Sequence, residues 1–217
     1  MPATTPAPSS RRSELLEGAY HYVLEHGVAD LSLRPLAAAL ESSPRVLLFL
    51  FGSKAELVQA LLARARAEEL DLLSRVRAAS DQSDLATVAF ELWGWLAAAD
   101  HRALLTLWVE GYARSLIDPD GPWANFAQAT VNDWLDVLAQ AQSAKVRDSA
   151  AGEVQRTLML AVLRGALLDL LATSDLERTT DAITQQLALL RDSAHPRVSP
   201  SATAESAATA LDAGRPI

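Results

Sequence analysis

The side chains best suited to chemistry in this sequence are hydrogen-bond donors, and they gather between Ser32 and Lys54. Ser43 and Arg45 stand at the start of a short apolar helical pattern, where side chains can reach the edges of DNA bases. An arginine there can donate two hydrogen bonds to guanine, which is worth about 1–3 kcal/mol of discrimination. A contact with a phosphate group, or an ordinary surface position, is the alternative for Arg45. Arg34 and Lys54 begin neighbouring helical patterns and are candidates for phosphate contacts. The grouping predicts a surface that reads DNA.

Two short helices and a tight turn must position these side chains. Leu36 and Leu40 recur at helical spacing, and the polar run 41–43 interrupts the pattern. Ser43 is a good N-cap and Pro44 a good first helical residue, because its fixed φ suits a helix and its missing N–H needs no partner there. A helix, a short turn and a second helix form a helix-turn-helix, which can place its second helix in the major groove of DNA.

The run from Glu14 to Leu62 resembles the DNA-binding domain of the tetracycline-repressor (TetR) family. The resemblance implies an all-α fold with an N-terminal three-helix helix-turn-helix domain, followed by a helical ligand-binding and dimerisation domain. It also implies a double-stranded DNA operator as a partner. The matching features are a first helix ending at Gly27, then Leu31-Ser32-Leu33-Arg34, Leu36-Ala37, Ser43, Phe51 and Gly52-Ser53-Lys54. The expected DNA-contacting residues are Arg11, Arg12, Ser32, Arg34, Ser42, Ser43, Arg45, Leu48 and Lys54.

Arg11 and Arg12 follow a small-residue, proline-rich tail over residues 1–10. They are interpreted either as an arm that touches phosphates or the minor groove, or as the solvated start of the first helix. Leu48 is interpreted either as an apolar contact to a thymine methyl group or as part of the core. The sequence leaves both pairs of alternatives open.

Three positions differ from the family pattern. Glu41 stands where the turn usually has glycine, and Leu48 and Leu50 stand where tyrosine and histidine are frequent. If the turn needs a positive φ, Glu41 is strained by roughly 1 kcal/mol. These positions and the net charge of −8 motivate a second hypothesis, a helical dimeric small-molecule-binding or interaction protein with weak or lost DNA recognition.

Composition excludes several other classes. The 217 residues contain no cysteine, which rules out disulfides, thiolate zinc sites and a cysteine nucleophile. The four histidines are scattered, and His21 and His26 do not share a helical face for a metal. No phosphate loop or paired catalytic carboxylates stand out, so we predict no enzyme, cofactor or metal site. Without a signal peptide or a membrane-spanning apolar stretch, a cytoplasmic protein is expected.

Charge and composition also divide the chain. Basic and acidic side chains balance over residues 1–54, so the acidic excess lies downstream. Only Lys54 and Lys145 among the 19 basic residues are lysines, and we interpret this as a GC-rich, bacterial coding bias. We predict a tail over residues 1–10, the DNA-binding domain over 11–60, the ligand-binding and dimerisation domain over 61–192, and a second tail over 193–217.

All five tryptophans fall in the second domain, which predicts a pocket lined by aromatic side chains. Core packing is the alternative for each tryptophan taken singly. His101 and Glu110 are additional polar candidates for contact with a ligand. The candidate ligand-binding residues are Trp93, Trp108, Gly111, Tyr112, Trp134 and Leu163.

The stretch 152–172 is apolar nearly all round, so it should be covered on more than one side. In the family that the chain resembles, the last two long helices form a four-helix bundle with a second copy. The resemblance therefore implies a homodimer, and the expected interface residues are Ala161, Gly165, Leu167, Leu187 and Leu190. The combined prediction is a repressor that a small apolar or aromatic effector releases from a palindromic operator.

Overall fold

The structure is a computed structural model that describes residues 8–28, 31–79 and 84–194. Within these ranges every regular element is a helix, which confirms the predicted all-α class. A single 3₁₀ turn covers Ala99–His101. The helices are α1 (Pro8–His26), α2 (Leu33–Ala39), α3 (Pro44–Phe51), α4 (Lys54–Ala79), α5 (Leu85–Leu96), α6 (Arg102–Ile117), α7 (Phe126–Gln140), α8 (Ala144–Arg147), α9 (Ala150–Thr173) and α10 (Leu176–Ala194).

The N-terminal head consists of α1, α2, α3 and the first part of α4. Its helices end at the residues that the sequence singled out, since Gly27 and Gly52 both adopt positive φ angles, of 77° and 87°. The head closes around one apolar core that includes Leu36 of α2, Leu47 of α3 and Leu57 of α4. Burial of these side chains fixes which face of each short helix turns outward.

Polar contacts tie α1 to α4 beside this core. Arg64 donates from Nε to Glu17 Oε1 at 2.8 Å, and its guanidinium lies 4.6 Å from the centre of the Tyr20 ring. The Tyr20 hydroxyl donates to Glu68. Burial, followed by the contact with Glu68, raises the pKa of Tyr20 above its ordinary value, so the phenol stays protonated at neutral pH.

The body is built from the rest of α4 and from α5 to α10. The helix α10 packs against α5 and α9, while α7 packs against α4, α6 and α9. The helix α4 runs without a break from the head into the body. Among the described helices none is long and apolar enough by itself to cross a membrane. The helix α3 and the part of α4 up to Val76 meet the length and composition criterion only when they are taken together, and they are bent by 70°.

Some elements differ from the sequence prediction. The helix α1 begins at Pro8, within the stretch 1–10 that was predicted to be a tail. The helix α7 begins at Phe126, directly after Asn125, which takes a left-handed φ of 64°. The short helix α8 was not predicted. Residues 1–7, 29–30, 80–83 and 195–217 lie outside the described residues, and they hold most of both predicted tails.

Candidate DNA interface and ligand cavity

The helix α3 has the start and the orientation that the sequence predicted for a recognition helix. Ser43 is its N-cap, with its hydroxyl accepting a hydrogen bond from the Val46 N–H at 3.3 Å, and Pro44 follows as the first helical residue. Leu47 and Phe51 face the core, so the opposite face is exposed. Ser43 and Arg45 both lie on that exposed side.

Phe49 is a prominent exposed residue that the sequence prediction missed. Its side chain is 83% exposed, compared with 40% for Leu48 and 37% for Val46. The signal was present in the helical spacing, because Phe49 lies two residues from each of the core residues Leu47 and Phe51. An aromatic side chain at this position can pack on a thymine methyl group.

Arg11 and Arg12 do not form an extended arm, because both lie inside α1. Arg11 pairs with Glu14 at 2.8 Å. Arg12 donates from Nε to the carbonyl oxygen of Leu50 at 3.3 Å, and its guanidinium lies 4.9 Å from the centre of the Phe51 ring. Arg12 thus satisfies a carbonyl group at the end of α3, where helices leave such groups unpaired. The structure favours the helix-start interpretation and gives Arg12 a role in holding α3.

The remaining polar candidates lie around α3. Ser32 precedes α2, and its side chain makes no capping hydrogen bond. Arg34 and Lys54 are exposed at the starts of α2 and α4, and Ser42 is half-buried in the turn. Each of these positions can present a donor to a phosphate group, and their contact with DNA stays a prediction.

The turn between α2 and α3 holds Glu41 in a left-handed conformation with φ of 49°. A side chain with a Cβ is strained there, because the Cβ approaches the following carbonyl oxygen. The turn therefore has the positive φ at which a residue such as Glu41, in place of glycine, is strained. The exposed carboxylate also adds negative charge beside α3.

We expect Glu41→Gly to raise the free energy of unfolding by roughly 0.5–1 kcal/mol, since relief of the strain outweighs the greater flexibility of glycine in the unfolded chain. Urea unfolding followed by circular dichroism measures the change. Glu41→Ala is the matched control, because it removes the charge but retains the Cβ. Equal stabilisation by both variants would show that charge, and not backbone strain, is responsible.

An apolar cavity of about 300 Å³ opens between α6, α7 and α9. Its size lies at the lower end of the range for small-molecule sites. Trp108 and Trp134 meet edge to face at its wall, with ring centres 6.1 Å apart. The lining side chains are Leu96, Trp108, Val109, Tyr112, Ala113, Leu116, Phe126, Thr130, Trp134, Leu160, Leu163, Arg164, Leu167 and Leu168.

Four of the predicted ligand residues line this cavity, namely Trp108, Tyr112, Trp134 and Leu163. Trp93 does not, because it is buried elsewhere and donates from Nε1 to Thr180 Oγ1 at 3.0 Å.

Gly111 does not line the cavity either. A Cβ built there would lie 3.1 Å from Trp123 and Phe126, so this glycine permits close packing.

The two additional polar candidates also lie outside the cavity. His101 stacks on Trp95 with ring centres 4.1 Å apart, and its Nδ1 lies 2.8 Å from the Trp95 carbonyl oxygen. Glu110 accepts a hydrogen bond from the Val28 N–H at 3.1 Å. The Glu110 contact joins α6 of the body to the segment that follows α1 of the head.

A buried carboxyl group connects the cavity wall to α4. Glu69 is fully buried and accepts a hydrogen bond from Trp134 Nε1 at 2.5 Å. Burial raises the pKa of Glu69 to about 7, while the Trp134 hydrogen bond and the Arg66 charge lower it less strongly. Arg66 also pairs with Asp133 of α7. The Glu69–Trp134 hydrogen bond and the Arg66–Asp133 ion pair therefore hold α4 against α7.

The helix α9 keeps an apolar face that the single chain leaves exposed. Val154, Leu158 and Leu168 are 66%, 53% and 52% exposed. Ala161 and Gly165 lie on the same side, and a Cβ built on Gly165 would meet open space. The spacing of these residues forms one stripe along the helix.

Two of the predicted interface residues point the other way. Leu167 and Leu187 are 8% and 2% exposed, because they pack into the core of their own chain, and Leu190 is half-buried against it. The resemblance gave these leucines as interface residues, whereas the structure packs Leu167 and Leu187 into the core of their own chain.

No protein-family model and no curated protein matches the chain. Solved structures do match it. A TetR transcription regulator from Haloarcula marismortui is 18% identical with a TM-score of 0.65, covering 85% of this chain and 98% of that one. The multidrug binding protein EbrR complexed with proflavin is 26% identical with a TM-score of 0.57, covering 81% and 98%. SmeT, the repressor of the SmeDEF multidrug efflux pump of Stenotrophomonas maltophilia, is 23% identical with a TM-score of 0.57, covering 82% and 89%.

The chain therefore has the fold of the TetR-family transcriptional regulators. The similarity spans both the helix-turn-helix head and the helical body, because more than four-fifths of the chain is covered in each comparison. The resemblance inferred from residues 14–62 is confirmed at the level of the fold.

Proposed function

We propose that the protein is a homodimeric, ligand-responsive transcriptional regulator that binds a palindromic DNA operator and leaves it when a small molecule occupies the body. The matched structures include a repressor of a multidrug efflux pump and a multidrug binding protein holding proflavin. The proposal places the protein in the cytoplasm and assigns it no enzymatic activity.

One observation carries this proposal: α4 connects the candidate recognition helix to the cavity wall. The first turn of α4 follows α3 directly, and Leu57 of α4 belongs to the same apolar core as Leu47 of α3. Further along the same helix, Glu69 accepts the hydrogen bond from Trp134, whose ring lines the cavity. A ligand that displaces Trp134 would therefore act on the helix that supports α3.

The change in DNA affinity follows from a shift between two dimer geometries. Two recognition helices reach successive major grooves when they lie roughly 34 Å apart. A ligand lowers DNA affinity when it binds more tightly to a dimer whose recognition helices do not have this spacing. The size of the effect is limited by the difference between the ligand's affinities for the two dimer geometries. The exposed face of α9 is the surface that we assign to the second copy, since its small residues Ala161 and Gly165 permit close helix approach.

Selection of genomic DNA fragments by the purified full-length protein tests the proposal. We expect recovery of fragments that share a palindromic site, and a dimer in light scattering. A monomeric protein that retains no fragment at low salt would contradict it. If the retained fragments share no common sequence, the prediction of a specific palindromic operator is contradicted.

The exposed apolar surface of α3 supports a second candidate function. Val46, Leu48 and Phe49 together present a surface that suits a protein partner as well as thymine methyl groups. The alternative is a helical dimeric small-molecule-binding or interaction protein with weak or lost DNA recognition. A stable dimer that binds small molecules but retains no DNA at low salt would favour this alternative.

Lys54 provides a prediction about phosphate binding. We expect Lys54→Ala to weaken binding to all DNA sequences by a similar factor and to reduce the salt slope by about one unit, since a phosphate contact carries no sequence information. Fluorescence anisotropy at several salt concentrations measures the slope. Lys145→Ala, on the exposed surface of α8, is the control and should leave the slope unchanged. Equal slopes for wild type and Lys54→Ala would remove Lys54 from the interface.

A further inference from the structure

Three of the residues that line the cavity carry a buried polar atom without a hydrogen-bond partner. Trp108 Nε1, Thr130 Oγ1 and Arg164 Nη2 are buried, and none has a hydrogen-bond partner among the described residues. All three residues line the cavity, although they belong to three different helices. An indole N–H and a guanidinium N–H can only donate, and the threonine hydroxyl can donate as well. A ligand that brings acceptor atoms can therefore accept a hydrogen bond from each of these three groups.

The charge of the cavity is also one-sided. Among the described residues that line the cavity, Arg164 is the single charged one. Its guanidinium lies 5.0 Å from the centre of the Tyr112 ring, and its Nη1 donates to the Tyr112 hydroxyl at 3.3 Å. These contacts orient the guanidinium without neutralising it. No described carboxylate lies within ion-pair distance of Arg164.

Glu69 is the buried carboxyl group whose charge interacts with that of Arg164, and it does not reverse the charge of the cavity. Glu69 is absent from the cavity lining, and its Oε1 is occupied by the Trp134 N–H. Arg66 lies 3.9 Å from the other oxygen of Glu69. Burial raises the pKa of Glu69 to about 7, so much of the population is neutral near that pH. The cavity therefore disfavours a cation and leaves the positive charge of Arg164 available.

We propose that the cavity binds an amphiphilic monocarboxylate, with the carboxylate on Arg164 and the apolar body against Trp108, Trp134 and Phe126. This inference rests on the proposed function for the role of the cavity, and it adds the chemical class of the effector. A carboxylate accepts hydrogen bonds from the guanidinium, where charge assistance makes them stronger than neutral ones. Proflavin, which EbrR holds, is a cationic dye at neutral pH and belongs to the opposite charge class.

Matched probes on the full-length protein test the charge preference directly. Decanoate, decanol and decylamine share a chain and differ in charge, and 1-naphthoate supplies an aromatic carboxylate. Tryptophan fluorescence and calorimetry measure binding without DNA. We expect at least one of the two carboxylates to bind. Any carboxylate that binds should do so at least tenfold more tightly than decylamine. The tighter of the two identifies an acyl or an aryl effector. Tighter binding of decylamine, or binding of neither carboxylate, would overturn the proposal.

Substitution of the guanidinium tests the assigned contact. We expect Arg164→Gln to weaken carboxylate binding roughly tenfold to a hundredfold while decanol binding changes little, because only the charged contact is lost. Arg164→Lys should recover part of the affinity. Arg191→Gln removes the same charge from an exposed position on α10 and is the control. An unchanged ratio of carboxylate to decanol affinity in Arg164→Gln would refute the role of Arg164.

These measurements separate the effector class from the regulator itself. If the protein binds carboxylates but retains no genomic fragment, the proposed class of ligand is supported and the proposed function as a DNA-binding regulator is contradicted. If the protein selectively recovers operator fragments but prefers decylamine, the proposed regulatory function is supported and the proposed carboxylate ligand is contradicted.

Discussion

Replacing Arg45 by alanine is expected to weaken operator binding by about 1–3 kcal/mol, which is roughly fivefold to 150-fold in Kd. Arg45 is exposed in the first turn of α3, on the side opposite the core residue Leu47. It makes no ion pair with any residue that the structure describes. The loss should fall on one base pair of each half-site, because a guanidinium contacts the edge of a single guanine.

Binding to a library of operator variants measures this effect. Wild type should discriminate at the contacted base pair, whereas Arg45→Ala should accept all four bases there with similar affinity. Arg75→Ala is the matched control, since Arg75 is an exposed arginine in the second half of α4 that pairs with Asp71 of the same helix at 2.5 Å. If Arg45→Ala keeps the wild-type base preference, Arg45 contacts the phosphate backbone or no DNA at all.

Glu69 is expected to make the stability of the protein fall as the pH rises. Its pKa is about 7 in the folded protein, against an ordinary value of 4.5 in the unfolded chain. Between these values the folded state holds a proton that the unfolded state releases, so stability is greatest below about pH 4.5 for this group and declines up to about pH 7. The decline corresponds to on the order of 3 kcal/mol. Arg66, Asp133 and Arg164 are the charged groups that act on Glu69 in the folded state.

Comparison of wild type with Glu69→Gln isolates this contribution. The amide oxygen can still accept the Trp134 hydrogen bond but does not titrate, so the variant should match or exceed the stability of wild type at pH 8. Urea unfolding between pH 5 and pH 8 provides the measurement. Glu153→Gln, at an exposed position in the first turn of α9, is the control and should follow wild type. A pH slope in Glu69→Gln equal to that of wild type would assign the titration to another group.

Local signals in the sequence were sufficient to predict the helical class and the start and end of α3. Ser43 and Pro44 act at the first turn, and Gly52 acts at the last, so each signal operates within a few residues. Such interactions depend on neighbours along the chain and can be recognised without any knowledge of the tertiary packing.

The packing of distant helices decided which side chains form the site. Trp93 and Trp134 look alike in sequence, yet Trp93 fills the core beside Thr180 whereas Trp134 lines the cavity. Glu69 lies in a run of charged residues that predicts a solvated face, and it is fully buried because α7 covers it. Phe49 is exposed because no residue that the structure describes packs over it.

Helical periodicity determined that this chain folds into helices with apolar faces, since a repeat near 3.6 residues aligns side chains within a single element. It did not determine which of those faces meets a neighbour in the same chain. Leu167 and Leu168 are adjacent in sequence, but only Leu167 turns into the core. That choice depends on where α6 and α7 lie against α9, and contacts between such distant segments exist only in the folded chain.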